Sequence, residues 1–360
     1  MFYHLLYPLS QYFFVFNVTR YITFRGGCAF VISFFMVILL RRFFLNKLKK
    51  LKITEHIDMY GHVHLESLHG VKKGTPTMGG LLIIFSVFIS TLLCARLDNY
   101  FIWLILFVMA ALGSLGLADD YLKIRRSKGL SRTKKLIWQG IIGFILGIFL
   151  VAIKDFPTTL NFPFFKNLVA ELGPFYIFWT ILMILSASNA VNFTDGLDGL
   201  AIGALIINFL ILGVLSYVVG NINFADYLLI PYIKGAGELT VVCLALIGAG
   251  LGFLWFNSYP AELFMGDVGA LALGGMMGAI ALFIKKEFLL FVSGGLFVLE
   301  AMSVILQILS VKLRKKKLFK AAPLHHHFQI IGWDEPKIII RFWIITIMCV
   351  VVALLTLKVR

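Results

Sequence analysis

Long apolar runs alternate with short polar breaks along the whole 360-residue chain. A bilayer core is crossed by about 20 apolar residues in a helix, which satisfies every backbone polar group within one segment. Ten stretches fit, near 22–40, 77–95, 99–118, 136–153, 175–191, 199–219, 238–256, 268–284, 288–310 and 338–357. The pattern predicts an all-α polytopic integral membrane protein, with one transmembrane domain over 1–360. Residues 1–21 lack a basic leader and a small-residue cleavage site, which argues against a removable signal peptide. Tyr3, Tyr7, Tyr12 and several phenylalanines there suit an interfacial segment.

Composition changes nothing in that picture but excludes the alternative of a soluble globular protein. Hydrophobic residues make up 60% and charged residues 14% of the chain, and the mean hydropathy is +0.93. Cys28, Cys94, Cys243 and Cys349 stand singly in apolar runs without metal-ligand spacing, so they read as structural thiols.

Charge gives the predicted spans a direction. When they alternate across the membrane, loops 41–76, 119–135 and 311–337 share one side and hold 22 of the 33 lysines and arginines. The positive-inside rule makes that side cytoplasmic and places both termini on the other. It accounts for most of the lysines without a nucleic-acid partner. It does not account for loops 190–198 and 257–267 on the same side, which carry Asp195, Asp198, Glu262 and Asp267 and no lysine or arginine. With Asp119 and Asp120, five aspartates thus converge on one face, at the ends of apolar runs where ionisable groups are costly and signal function.

Carboxylates beside cationic loops suggest a metal site next to anion-binding walls. A hard cation such as Mg²⁺ takes oxygen ligands, commonly one or two carboxylates with water and phosphate oxygens. Asp119, Asp120 and Asp267 offer that chemistry. Adjacent residues on a helix point about 100 degrees apart, so Asp119 and Asp120 are poorly placed to share one ion, and one of them can serve as a base or orient the other. A helix-terminal salt bridge to Lys123 is the plain alternative for this pair. The run NAVNFTDGLDGL (Asn189 to Leu200) reads as an active-site loop. KKGTPTMGG (Lys72 to Gly80) combines point charges, hydroxyls and glycine amides suited to phosphate, although a cap before a membrane helix explains it equally well. His325, His326 and His327 invite a zinc reading, but consecutive side chains diverge and no partner set accompanies them. Hydrogen bonding to a phosphate or sugar suits them better. Glu300, Ser303 and Gln307 form one polar stripe on the ninth span, which reads as interhelical hydrogen bonding ahead of substrate contact.

YLK after the aspartate pair, NAVNFTDGLDGLA, GLGFLWFNSYPAELFMGDVGALALGG and PLHHHF together resemble the phospho-N-acetylmuramoyl-pentapeptide transferases, within the polyprenyl-phosphate N-acetylhexosamine-1-phosphate transferases. The resemblance runs from KKGTPTMGG to RFW (Arg341 to Trp343). It implies an Mg²⁺-dependent enzyme of the bacterial cytoplasmic (inner) membrane, active on the cytoplasmic face, that makes lipid I and UMP from UDP-N-acetylmuramoyl-pentapeptide and undecaprenyl phosphate. This is the first membrane step of peptidoglycan synthesis. Carried over by position, Asp267 is the implied Mg²⁺ ligand, Asp119 the group that deprotonates or orients the lipid phosphate, and Asp120 a supporting acid. Asn192, Asp195 and Asp198 match the nucleotide and diphosphate loop, Asn257 and Phe264 the uracil position, and Lys72, Lys123 and Lys135 the cationic residues. His326 and His327 belong to the histidine motif. Membrane lipids and a homodimeric partner are implied by resemblance alone. Gln329 stands where the family usually has glutamate, Phe193 where it has leucine and Ala270 where serine is common.

Two other readings remain open to the sequence. Sister enzymes transfer N-acetylglucosamine phosphate to polyprenyl carriers, and the uninterrupted histidines of PLHHHF argue against them. A cation transporter would place acids near the bilayer midplane, where only Glu300 is suitably positioned.

Overall fold

The computed structural model describes residues 1–50, 75–126, 128–162 and 169–357. Its helices are α1 (Phe2–Leu6), α2 (Ile22–Lys50), α3 (Gly80–Cys94), α4 (Tyr100–Arg126), α5 (Arg132–Ala152), α6 (Tyr176–Thr194), α7 (Leu200–Val219) and α8 (Ile222–Tyr227). They continue as α9 (Leu239–Asn257), α10 (Gly266–Phe283), α11 (Glu287–Ser293), α12 (Gly295–Arg314), α13 (Leu324–Ile331) and α14 (Glu335–Thr356). Between α5 and α6, β1 (Thr159–Asn161) pairs antiparallel with β2 (Val169–Glu171), Leu160 opposite Ala170. Among the described residues, nine helical segments are long and apolar enough to cross a membrane. The second predicted span is the apolar 15-residue α3, about 22 Å long at the helical rise. The chain is a multi-pass, all-α membrane protein.

Several boundaries differ from the sequence expectation. The residues expected as the start of loop 41–76 continue α2 to Lys50, and α4 runs on past its apolar stretch to Arg126. The aspartate pair therefore lies inside a helix and not at its end, which puts Lys123 one turn on from both acids. The ninth span is two helices, α11 and α12, separated at Gly294. Both halves are apolar, so hydropathy alone does not reveal the break.

α10 is the innermost element: every residue from Val268 to Phe283 is buried. It packs against α3, α4, α6 and α7, while α2 packs on α9 and α5 on α6. Small residues let these backbones meet, as in membrane helix pairs generally. A Cβ on Gly116 of α4 would fall 2.4 Å from the backbone oxygen of Asp267, and one on Gly80 of α3 would fall 2.3 Å from Gly269 Cα. The Gly116 crossing is one turn before Asp119, so it brings the acids of α4 to the first turn of α10.

The opposite end of the bundle is tied by buried polar groups. Arg25 makes a bidentate pair with Glu238, both contacts 2.6 Å, and Glu238 also accepts from the Arg96 amide at 3.1 Å. Lys285 donates to Tyr176 and Glu287, each at 2.8 Å, with both partners buried. The Met1 ammonium donates to the Leu92 carbonyl at the far end of α3, at 2.7 Å. The four cysteines are free thiols.

Candidate active site

Three carboxylates from two helices meet at the end of the bundle away from Arg25. Asp119, Asp120 and Asp267 each present an oxygen within 4.8 Å of the others. Asp267 stands in the first turn of α10, where the helix dipole favours an anion, and Lys123 stands in the last turn of α4, where it favours a cation. Lys123 Nζ lies 2.8 Å from Asp267, 2.9 Å from Asp119 and 3.5 Å from Asp120. Lys135, from the first turn of α5, pairs with Asp267 and with Asp119 at 3.2 Å. Two ammonium groups thus balance much of the charge of three acids that are largely shielded from water.

Asp119 and Asp120 are also fixed by backbone. Asp119 Oδ1 accepts from the Leu130 amide at 2.6 Å and Asp120 Oδ2 from the Val268 amide at 3.2 Å. Both acids are buried, 2% and 5% exposed. The salt bridge expected between the pair and Lys123 is present, and Lys123 bridges both acids to Asp267.

The loop before α10 is stitched to the segment before α3. Phe264 donates its amide to Pro76, and Gly79 and Gly80 donate theirs to Phe264 and Met265, at 2.8 to 2.9 Å. The glycine-rich part of KKGTPTMGG is thus a backbone ladder against FMGD, with Phe264 half-buried beside it. Lys72 lies outside the described residues. Arg41 of α2 pairs with Glu262 and sits 4.0 Å over the Phe256 ring, giving this acidic loop the cation that its own sequence lacks.

The 195–199 loop divides into open and closed positions. Asn192 and Asp195 remain partly exposed at the end of α6. Asp198 is 2% exposed; its Oδ2 accepts from the Ala261 amide and its own amide donates to Glu335 Oε1, both at 3.0 Å. Asn257 is buried as a bridge, accepting from the Gly199 amide at 3.0 Å and donating to the Leu263 carbonyl at 2.8 Å. Sequence reasoning passed over Glu335, since an acid after Asp334 and before Pro336 reads as an ordinary first-turn residue.

The histidine motif forms the start of α13 and joins this wall. His325 packs on Gly196, where a Cβ would fall 2.3 Å from its Nε2, and its Nδ1 is 3.3 Å from Glu300. Glu300 also accepts from the His325 amide at 3.2 Å. His326 Nδ1 is 2.8 Å from Gln329 Oε1, and His327 Nδ1 accepts from the Lys320 amide at 3.1 Å. Gln307 accepts from the amides of Leu318 and Phe319, at 3.0 and 2.9 Å, and donates to the Phe319 carbonyl at 3.1 Å. Glu300 and Gln307 of the polar stripe therefore bind the histidine segment and the loop leading to it, whereas Ser303 donates to its own helix at Glu300.

α6, α11 and α12 line an open apolar groove of about 270 Å³ that runs from Glu287 to Phe193, with Phe297, Ala301, Met302 and Ile305 among its walls. Asn189 and Phe193 bring its wall within two turns of Asp195.

The model of glycosyl transferase family 4 matches residues 102–285, and a phospho-N-acetylmuramoyl-pentapeptide-transferase signature matches residues 72–84. Proteins named phospho-N-acetylmuramoyl-pentapeptide-transferase from Citrifermentans bemidjiense and Geobacter sp. strain M21 are each 49% identical over 362 residues. One from Desulfotalea psychrophila is 49% identical over 363 residues, and in all three cases the whole of both chains is covered. Similarity of this extent, running through the carboxylate cluster, the 195–199 loop and the histidine segment alike, means that the chain belongs to the phospho-N-acetylmuramoyl-pentapeptide-transferase family.

Proposed function

We propose that this protein transfers phospho-N-acetylmuramoyl-pentapeptide from its UDP carrier to undecaprenyl phosphate, giving lipid I and UMP. The observation that carries the reading is the cluster of Asp119, Asp120 and Asp267, threaded by Lys123 and Lys135, in a chain with full-length relatives of that name. One oxygen of the lipid phosphate attacks the sugar-linked phosphorus, and the phosphoanhydride bond to UMP breaks as the new one forms. One anhydride replaces another, so the difficulty is to bring two anions together, and catalysis rests on positioning and charge neutralisation.

The donor set fits Mg²⁺: three carboxylates supply hard oxygen ligands, and paired ammonium groups already occupy their midst. Asp267 would hold the ion, with Asp119 and Asp120 beside it. When bound, Mg²⁺ supplies positive charge to the diphosphate. Lys123 and Lys135 draw the phosphates in and offset the repulsion between the carboxylates. Asp119 orients the lipid phosphate or takes its proton. Asn192 and Asp195 face the nucleotide and diphosphate, Phe264 stacks on uracil, and His326 and His327 bond the sugar phosphate. Asp198 and Asn257 serve the same substrate by holding the loops, since their polar atoms are engaged with backbone.

The apolar groove between α6 and α12 receives the polyprenyl chain from the side. Positive-inside sorting supports assigning the carboxylate end to the cytoplasm and both termini to the opposite face, in the bacterial inner membrane.

The test is UMP release by the purified protein with both substrates and Mg²⁺, beside UDP-N-acetylglucosamine and an Asp267→Asn variant. Release from the muramoyl substrate alone, lost with EDTA and at least about 100-fold lower in the variant, is expected for removal of a group central to charge stabilisation. Release from UDP-N-acetylglucosamine would assign the chain to the sister activity, and an active Asp267→Asn variant would overturn the carboxylate assignment.

A further inference from the structure

The 195–199 loop lies between two helices with no strand to fix its backbone, yet its closed half is buried. Such amides need partners, and here they come from distant elements. The Asp198 amide donates to Glu335 Oε1 at 3.0 Å and the Gly199 amide to Asn257 Oδ1 at 3.0 Å. Glu335 is in the first turn of α14. About two turns further along that helix, Trp343 Nε1 donates to the Leu200 carbonyl at 3.3 Å, the next residue but one after Asp198. The same helix grips the histidine segment, because Arg341 lies 4.3 Å over Trp333, which stacks on Phe328 of α13 at 4.5 Å. Glu335 carries a charge-assisted bond to the loop but belongs to none of the groups assigned to substrate.

We infer that Glu335 is a positioning residue: its carboxylate holds the Asp198 amide and so sets the orientation in which Asn192 and Asp195 meet the nucleotide diphosphate. The inference rests on the proposed function, which gives this loop to the nucleotide. A carboxylate suits the role because a hydrogen bond to a charged acceptor is stronger than one to a neutral group. Its Oε1 is engaged by the Asp198 amide, so Glu335 acts through Asp198.

Steady-state kinetics with both substrates, on full-length protein, test this. Glu335→Ala should raise KM for UDP-N-acetylmuramoyl-pentapeptide about tenfold, the size expected for a lost charge-assisted bond. KM for undecaprenyl phosphate and kcat should stay within about twofold, as for loss of uniform nucleotide binding. Glu335→Gln keeps an acceptor oxygen and should recover most of the nucleotide affinity. Trp343→Phe removes the neighbouring bond and should shift the same KM in the same direction, which supplies a readout should the alanine variant not fold. An unchanged nucleotide KM in Glu335→Ala, or in Trp343→Phe where the alanine variant does not fold, overturns the inference. So does a glutamine variant as impaired as alanine, or a parallel loss in both KM values and kcat. Failure of the parent protein to release UMP would instead overturn the functional reading on which the inference stands, and both would fall together.

Discussion

Asp267 is held by charge on one side and crowded by backbone on the other. Its carboxylate receives two ammonium groups, and its carbonyl oxygen lies where a side chain on Gly116 would go. Gly116→Ala is therefore expected to push α4 away from α10, lowering stability by about 1–3 kcal/mol as in overpacked cores. The same shift would lower the rate of UMP release, and thermal unfolding with the transfer assay would register the two losses together. A variant as stable and active as the parent would mean that the crossing yields without moving the acids. At this scale the sequence is informative where chemistry is costly. Asp119, Asp120 and Asp267 stood out because acids at the ends of apolar runs have few structural reasons to be there, whereas Lys123 and Lys135 sat among loop cations that the positive-inside rule explains and were singled out by resemblance. Asp198 and Asn257 were legible as members of a loop but not in their manner of use, since the amides they satisfy are fixed only by tertiary structure. Gln329, the departure from the usual glutamate, keeps a hydrogen-bonding oxygen on His326.

Hydropathy located the helices well and their interruptions poorly. The spans found match the runs expected, because a run of about 20 apolar residues has little other use. The continuation of α4 to Arg126 was not legible, since its last turns are polar and stabilised by pairs to Asp119, Asp120 and Asp267. The stripe on α12 was legible as polar and interhelical but not in its target: Glu300 bonds His325 of the short helix α13 and Gln307 the loop leading to it. Gln307→Leu removes three bonds to residues 318 and 319. It should quicken amide hydrogen exchange across 318–327 and lower the transfer rate several-fold, while leaving exchange in α10 unaltered, because local opening follows the local bonds. Exchange unchanged at 318–327 would show that α13 holds itself.

Across the whole molecule the two ends of the bundle divide their tasks. The end with the carboxylates carries groups half open to water, whereas the other is locked by Arg25, Glu238, Lys285, Glu287 and Tyr176 in buried pairs. Removing one partner of a buried pair strands a charge, so Glu238→Ala should cost about 3–5 kcal/mol of stability. Its kcat per folded molecule should stay near the parent value, which thermal unfolding and an active-fraction assay can separate. Equal loss of both would show that the distant end governs the site. The burial of α10 on every side has a further consequence for the order of events. Only its first turn reaches the surface, and on the proposed function the nucleotide meets the acids there along the axis from water and the lipid past α6 and α12. Under the proposed function the two substrates have separate doors. Neither needs to leave for the other to enter, and a hydrocarbon wedged into the lateral door would slow turnover without competing for the nucleotide.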